Sequence, residues 1–181
     1  MATIIFDFDD TLFDTALLKE DIFLEIISHG ATKEQVLNSY KKCNEKFGNY
    51  TLKEHINILN NEYDLKISED IFSWFESLNF TSYLFKETIS SLEKLSEKHN
   101  LILLTKGDIT FQKIKLEGVN ILKYFKELFI VDGNKEVFLK DKYFTPPVYF
   151  INDKESENEK IQELFPEFIF ILPDMKTGMH L

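Results

Sequence analysis

Residues Thr3 to Phe8 form a run of β-forming residues, and one carboxylate, Asp7, stands inside it. Such a run reads as a buried strand. A buried carboxylate is costly unless it is paired with a cation or bound to a metal. The strand must therefore deliver Asp7 to a place that supplies one. Asp9 lies two residues on, and side chains two apart share a face of an extended chain. Asp10 points to the other face and reads as structural, and Thr11 follows at once. A strand that merely leads into an acidic turn explains Asp9 and Asp10 but not Asp7. Open α/β sheets meet their ligands at the carboxyl ends of their strands, which is where this carboxylate pair falls.

Four helical patterns follow with no strand between them. Leu18, Ile22 and Ile26 recur at helical spacing from Thr15 to Ser28, and Gly30 stops that run. Thr32 with Gln35 makes a capping box ahead of Val36, Tyr40, Cys43 and Phe47. Thr51 with Glu54 repeats the signal ahead of Ile56 and Leu59, and Ser68 opens a fourth helix through Ile71, Phe72 and Phe75. The pattern changes near Tyr83. A helix over Lys86–Lys98 precedes an apolar strand, Leu101–Leu104. Another helix runs from Ile109 to Glu117, and strands are predicted at Leu128–Val131, Val148–Ile151 and Phe168–Leu172. Alternating helices and strands imply an α/β fold with a mostly parallel sheet. The first strand is separated from the others by an all-helical insertion.

Charge and composition narrow the partners. The net charge is −10, and all 21 basic residues are Lys. Nucleic acid is therefore not an expected partner, because a grip on it needs clustered cations. Without Arg there is no bidentate clamp, so an anionic ligand must be held by Lys, backbone N–H groups and a metal. No leader is evident at Met1 and no apolar run approaches a membrane span, so a cytoplasmic protein is expected, with no membrane partner. Cys43 is the single cysteine and falls in an apolar helical stripe, as a buried thiol would. The histidines, His29, His55, His99 and His180, lack zinc spacing and are expected at the surface or at helix ends.

The pattern Asp7-x-Asp9-x-Thr11 after an apolar strand resembles the first motif of the haloacid dehalogenase-like superfamily. Three further motifs of that family are matched in order. Thr105 ends the strand Leu101–Leu104, as the second motif requires, although Lys106 replaces the usual Asn. The run Thr105-Lys106-Gly107-Asp108, with Gln112 and Lys115 downstream, is similar to one phosphatase subgroup. The third motif is a Lys beyond a strand; Lys135 holds that position, with Lys140 and Lys142 as rivals. The fourth follows Val148–Ile151, where the family form is Gly-Asp-x-x-x-Asp. Asp153 keeps its place, Asn152 replaces the Gly, and Glu157 replaces the last Asp, with Asn158 the alternative in a longer variant. Glu155, Glu157 and Glu159 also read simply as an acidic helix start.

The resemblance covers essentially the whole chain. It implies a Rossmann-like core, residues 1–14 and 83–181, and an inserted helical cap domain of the C1 type, residues 15–82. It implies a Mg²⁺-dependent phosphatase acting on a small phosphorylated metabolite. Asp7 would attack phosphorus and form an aspartyl-phosphate, and Asp9 would serve as acid and then base. Thr105 and Lys135 would hold phosphoryl oxygens, with Lys106 and Gly107 as further phosphate contacts. The metal set would be Asp7, Asp9, Asp153 and Glu157. Asp9 argues against the family's dehalogenases and phosphonatases. A phosphomutase carries both aspartates and stays open. So does a binding or regulatory protein with weakened turnover, which the changes at Asn152 and Glu157 motivate.

Overall fold

The computed structural model describes residues 1–173, so His180 lies outside the described residues. The chain divides into two compact units: Ala16–Asn79, and Met1–Thr15 together with the chain from Phe80 onward. The first is all helical. It comprises α1 (Thr15–Ser28), whose first residue belongs to the other unit, α2 (Lys33–Phe47), α3 (Leu52–Tyr63) and α4 (Asp70–Glu76). The expected capping box at Thr32 and Gln35 opens α2, and Gly48 closes it in the left-handed conformation that glycine adopts without steric cost. Thr51 caps α3 through the N–H of Glu54. Cys43 is buried, as expected of a structural thiol.

His55 departs from expectation. It is buried on α3. Its Nδ1 lies 3.1 Å from the Tyr50 hydroxyl, and its Nε2 lies 2.8 Å from Ser39 Oγ and 3.1 Å from the Val36 carbonyl. Burial pushes its pKa down to about 4, so it is a neutral, hydrogen-bonded core residue. Helical spacing puts it on the inner face with Ile56 and Leu59.

The second unit holds a five-stranded parallel sheet: β1 (Thr3–Phe6), β2 (Asn100–Lys106), β3 (Glu127–Val131), β4 (Val148–Ile151) and β5 (Ile169–Ile171), in the order β3-β2-β1-β4-β5. Its helices are α5 (Thr88–Ser96), α6 (Ile109–Gly118), α7 (Lys135–Leu139) and α8 (Glu155–Leu164). Every residue of β1 is buried, as befits the central strand of a parallel sheet covered on both faces. On one face Ile5, Ile102, Leu104, Val148 and Phe150 pack with Leu139 of α7 and Ile161 of α8. The chain steps from β1 to one side through β2 and β3, and returns to the other through β4 and β5. The carboxyl end of β1 is thus the topological switch point, where such sheets open a crevice.

The boundaries differ slightly from expectation. Strand β1 ends at Phe6 because the Phe8 carbonyl turns to accept the N–H groups of Thr11, Leu12 and Phe13. The core unit takes in Phe80–Tyr83, a 3₁₀ turn. The Tyr83 ring lies 5.6 Å from that of Phe13, and its carbonyl accepts the Asp14 N–H at 2.7 Å. Among the described residues no helix is long and apolar enough to cross a membrane.

Helix α6 is seated by a steric fit at its end. A Cβ added to Gly118 would lie 2.3 Å from Cδ2 of Phe80, a ring that is itself buried. Gly118→Ala is expected to destabilise the protein by about 1–3 kcal/mol through overpacking. Adding Phe80→Leu should recover part of that loss. Urea denaturation of the three variants checks this, and wild-type stability in Gly118→Ala would contradict the fit.

Candidate active site

Asp7 follows β1 directly, and its N–H still bonds to the Ile151 carbonyl of β4 at 2.9 Å. The sheet therefore fixes the backbone that carries it. Its carboxylate is buried. Oδ1 accepts from Lys135 Nζ at 2.8 Å and from the Phe8 N–H at 2.8 Å. Oδ2 is buried without a hydrogen-bond partner. Burial pushes the Asp7 carboxyl up, against the pull of the Lys135 ammonium.

Lys135 is the first residue of α7 and is almost fully buried. Its Nζ also donates to Glu157 Oε2 at 2.8 Å. Burial works against its charge, but the two carboxylates outweigh that and hold its pKa above the ordinary value. Its rivals lie elsewhere. Lys140 is exposed, and Lys142 stacks over the Phe129 and Phe138 rings at 4.9 Å from each centroid.

Asp9 sits in the tight loop after β1. Its Oδ1 accepts from Lys115 Nζ and from Thr15 Oγ1, the latter at 2.7 Å, and its Oδ2 accepts from Gln112 Nε2 at 2.6 Å. Burial alone would raise its pKa, but Lys115, Gln112 and Thr15 together hold the carboxyl below the usual range. Asp10 adopts a positive φ of 57° and accepts the Thr15 N–H, which is a structural part in starting α1.

Thr105 lies near the end of β2, fully buried, and its Oγ1 has no hydrogen-bond partner. A buried hydroxyl left open in this way is costly without a ligand. Of the two residues after it, whose N–H groups were expected to face a phosphate, Gly107 is engaged differently from expectation. The Gly107 N–H bonds to the Val131 carbonyl at 2.9 Å, extending the pairing of β2 with β3, so it is not open to a phosphate. Lys106 Nζ donates to Asn134 Oδ1 at 3.4 Å.

Asp153 follows β4, and its N–H donates to Thr11 Oγ1 at 3.2 Å, which ties the loops after β1 and β4 together. Its Oδ1 is buried without a partner. Burial, together with the nearby Asp7 charge, pushes its pKa up to about 6. Of the four carboxylates expected around a metal, two are thus open. Asp9 is taken up by Lys115, Thr15 and Gln112, and Glu157 Oε2 by Lys135 and by Asn152 Nδ2 at 3.1 Å. Among the described residues no three His, Cys, Asp or Glu side chains are grouped to hold a metal by themselves. Asp7 and Asp153, two repelling carboxylates with open oxygens, could hold a hard cation that keeps most of its waters.

Lys115 and Gln112 were visible in the sequence only through a subgroup likeness that assigned them no task. Their three-residue spacing puts them on one face of α6, which is the signal that could have linked them. Asn158 does not compete for the site; it exchanges hydrogen bonds with Asn152, at 2.8 and 3.2 Å.

The sequence profile of the haloacid dehalogenase-like hydrolases matches residues 4–140. No curated protein sequence matches the chain significantly. Among solved structures, a protein from Burkholderia xenovorans LB400 described as a haloacid dehalogenase-like hydrolase superposes with a TM-score of 0.82 at 15% identity, over 95% of this chain and 81% of that one. A haloacid dehalogenase family enzyme from Bacteroides thetaiotaomicron, in complex with magnesium and inorganic phosphate, superposes at 0.62 with 16% identity, over 99% and 98% of the two chains. A protein from Thermotoga maritima described as a β-phosphoglucomutase does so at 0.62 with 19% identity, over 98% and 88%. At these identities the superpositions show a shared fold, and the profile match extends over most of the chain. By that profile match over residues 4–140 the chain belongs to the haloacid dehalogenase-like hydrolase family, and its sheet order is consistent with the shared fold.

Proposed function

We propose that this protein is a Mg²⁺-dependent phosphatase that hydrolyses a small phosphate monoester through an aspartyl-phosphate on Asp7. One observation carries the reading. Asp7 is fixed through Oδ1 by a buried lysine, while its Oδ2 and the Thr105 hydroxyl at the neighbouring strand end stay buried and open. These are the parts a phosphoryl group needs: a nucleophilic oxygen, a cation beside it and a donor to an equatorial oxygen. The family relative bound to magnesium and inorganic phosphate supports the same chemistry.

In this scheme the Asp7 carboxylate forms a bond to phosphorus as the bond to the leaving oxygen breaks. Asp9 must first take up a proton against the partners that favour its ionised form; it gives that proton to the leaving oxygen, then takes a proton from water as the water attacks phosphorus and releases Asp7. Lys135 and Thr105 hold phosphoryl oxygens. Lys135 offsets the repulsion between a carboxylate and a phosphate dianion. Asp7 and Asp153 would hold Mg²⁺, which when bound supplies positive charge against the transferring phosphoryl group. We assign choice of substrate to the helical unit, since it is inserted directly after the loop that carries Asp9. The expected setting is cytoplasmic, without nucleic-acid or membrane partners.

The aspartates should fail differently. With para-nitrophenyl phosphate, whose leaving group needs no proton, Asp9→Asn should still form the intermediate but hydrolyse it about 10²–10⁴-fold more slowly. Acid-quenched mass spectrometry should find phosphate on the peptide containing Asp7 in Asp9→Asn and none in Asp7→Asn. Label elsewhere, or turnover by Asp7→Asn, overturns the mechanism. A transient bisphosphate in place of released phosphate would identify a mutase.

The metal reading predicts a pH signature. Asp153 has a folded pKa of about 6 against an ordinary 3.8. In metal-free protein its contribution to stability is therefore full below about pH 4 and is lost as pH rises through about 6. Asp153→Asn should raise the Tm in excess chelator at pH 8 by a few degrees and leave it near wild type at pH 4. The same variant should lose the Tm gain that Mg²⁺ gives the wild type. Thermal scans across pH decide it, and an undiminished Mg²⁺ response in Asp153→Asn would remove Asp153 from the metal site.

A further inference from the structure

We propose that Lys115, assisted by Gln112, is the positioning residue of Asp9: it reaches the site from inside the core and fixes both the place and the direction of the Asp9 carboxylate. The inference rests on the phosphatase reading and deepens it. Lys115 is 1% exposed, a state that lysine rarely adopts without a partner. The carboxylate it meets is that of Asp9, a hundred residues away in the chain, at Oδ1. Its ammonium is boxed by the rings of Phe8, Phe13 and Phe111, with Nζ 5.3, 5.2 and 5.4 Å from their centroids. Rings at such distances attract a cation and leave it little freedom to move.

Gln112 completes the hold. Its Nε2 donates to Asp9 Oδ2 and, at 3.1 Å, to the Lys106 carbonyl, so the amide is itself anchored to the end of β2. Room for it depends on Gly107: a Cβ there would lie 2.7 Å from Nε2. The two carboxylates of the first motif are therefore served by separate lysines, Asp7 by Lys135 and Asp9 by Lys115. Removing Lys115 alone would leave Asp9 without its cation, a costly loss in a buried pair, so the pair serves stability as well as placement. Held at both oxygens, Asp9 meets leaving group and water in one orientation, and such placement is a large part of what a catalytic group contributes.

The test compares two substrates of similar shape, phenyl phosphate and para-nitrophenyl phosphate, through kcat/KM, which reports steps up to departure of the leaving group. Phenolate needs a proton and nitrophenolate does not. Lys115→Met should lose about 10–100-fold on phenyl phosphate, a share of the full acid–base effect, and only a few-fold on the nitrophenyl ester. In an Asp9→Asn background the same substitution should cost nothing further, because it acts only through Asp9. That double variant lacks both charges, so it guards against misfolding of Lys115→Met. Gln112→Met keeps the ion pair and should show the same substrate ranking with a smaller loss. Equal loss on both substrates, or a further loss in the Asp9→Asn background, overturns the inference while wild-type turnover leaves the phosphatase reading intact. A wild type inert toward both esters overturns that reading, and this inference with it.

Discussion

The ammonium of Lys135 is the charge on which the rest of the site depends. It lies 2.8 Å from Asp7 Oδ1 and 2.8 Å from Glu157 Oε2, and it is almost wholly withdrawn from water. Without it Asp7 would be buried, and Glu157 partly buried, with no protein cation beside them, and removing one partner of a buried pair typically costs about 3–5 kcal/mol. The same contact joins three elements at one point: the end of β1, the start of α7 and the first turns of α8. The site is therefore set by electrostatics within a packed sheet rather than by a flexible surface loop.

A second lysine repeats the arrangement for Asp9. A chain with no arginine has no planar fork with which to grip a carboxylate or phosphate from two sides. Here the fork is replaced by separate point charges, each confined by its surroundings. Lys135 is fixed between two carboxylates, and Lys115 within three aromatic rings. Gln112, Thr15 and the Phe8 N–H supply to the two aspartates the directional hydrogen bonding that an ammonium cannot.

The departures from the family's fourth motif are coupled to each other. Asn152 stands where a glycine is usual, and it is fully buried. Its side-chain amide donates to Glu157 Oε2 and to Asn158 Oδ1. The longer Glu157 thus meets both Lys135 and the amide that the glycine would have lacked. One change thus supplies a partner for the other.

Much of this was legible in the sequence because it depends on local spacing. A buried run with a carboxylate in it had to end at a polar site, but the alternation that put Asp7 and Asp9 on one face did not apply, because β1 ends at Phe6 and Asp9 lies in the turn that follows. Helical periodicity and caps at Thr32 and Thr51 marked the insertion, and alternation of helix and strand marked a parallel sheet. What only the tertiary structure decided depends on residues far apart in the chain. Lys115 meets Asp9 across 106 positions, and no local pattern separates a lysine that will be buried from one that will be solvated. Position alone favoured Lys135 over Lys140 and Lys142, but its seat between Asp7 and Glu157 follows from how α7 packs on the sheet. The Gly107 N–H was unavailable because strand pairing with Val131 claimed it, and His55 was buried because α3 turns that face inward. The sequence alone marked the candidate groups at the strand ends. Folding decided which cation each would meet, because pairing and desolvation arise only when distant segments pack together.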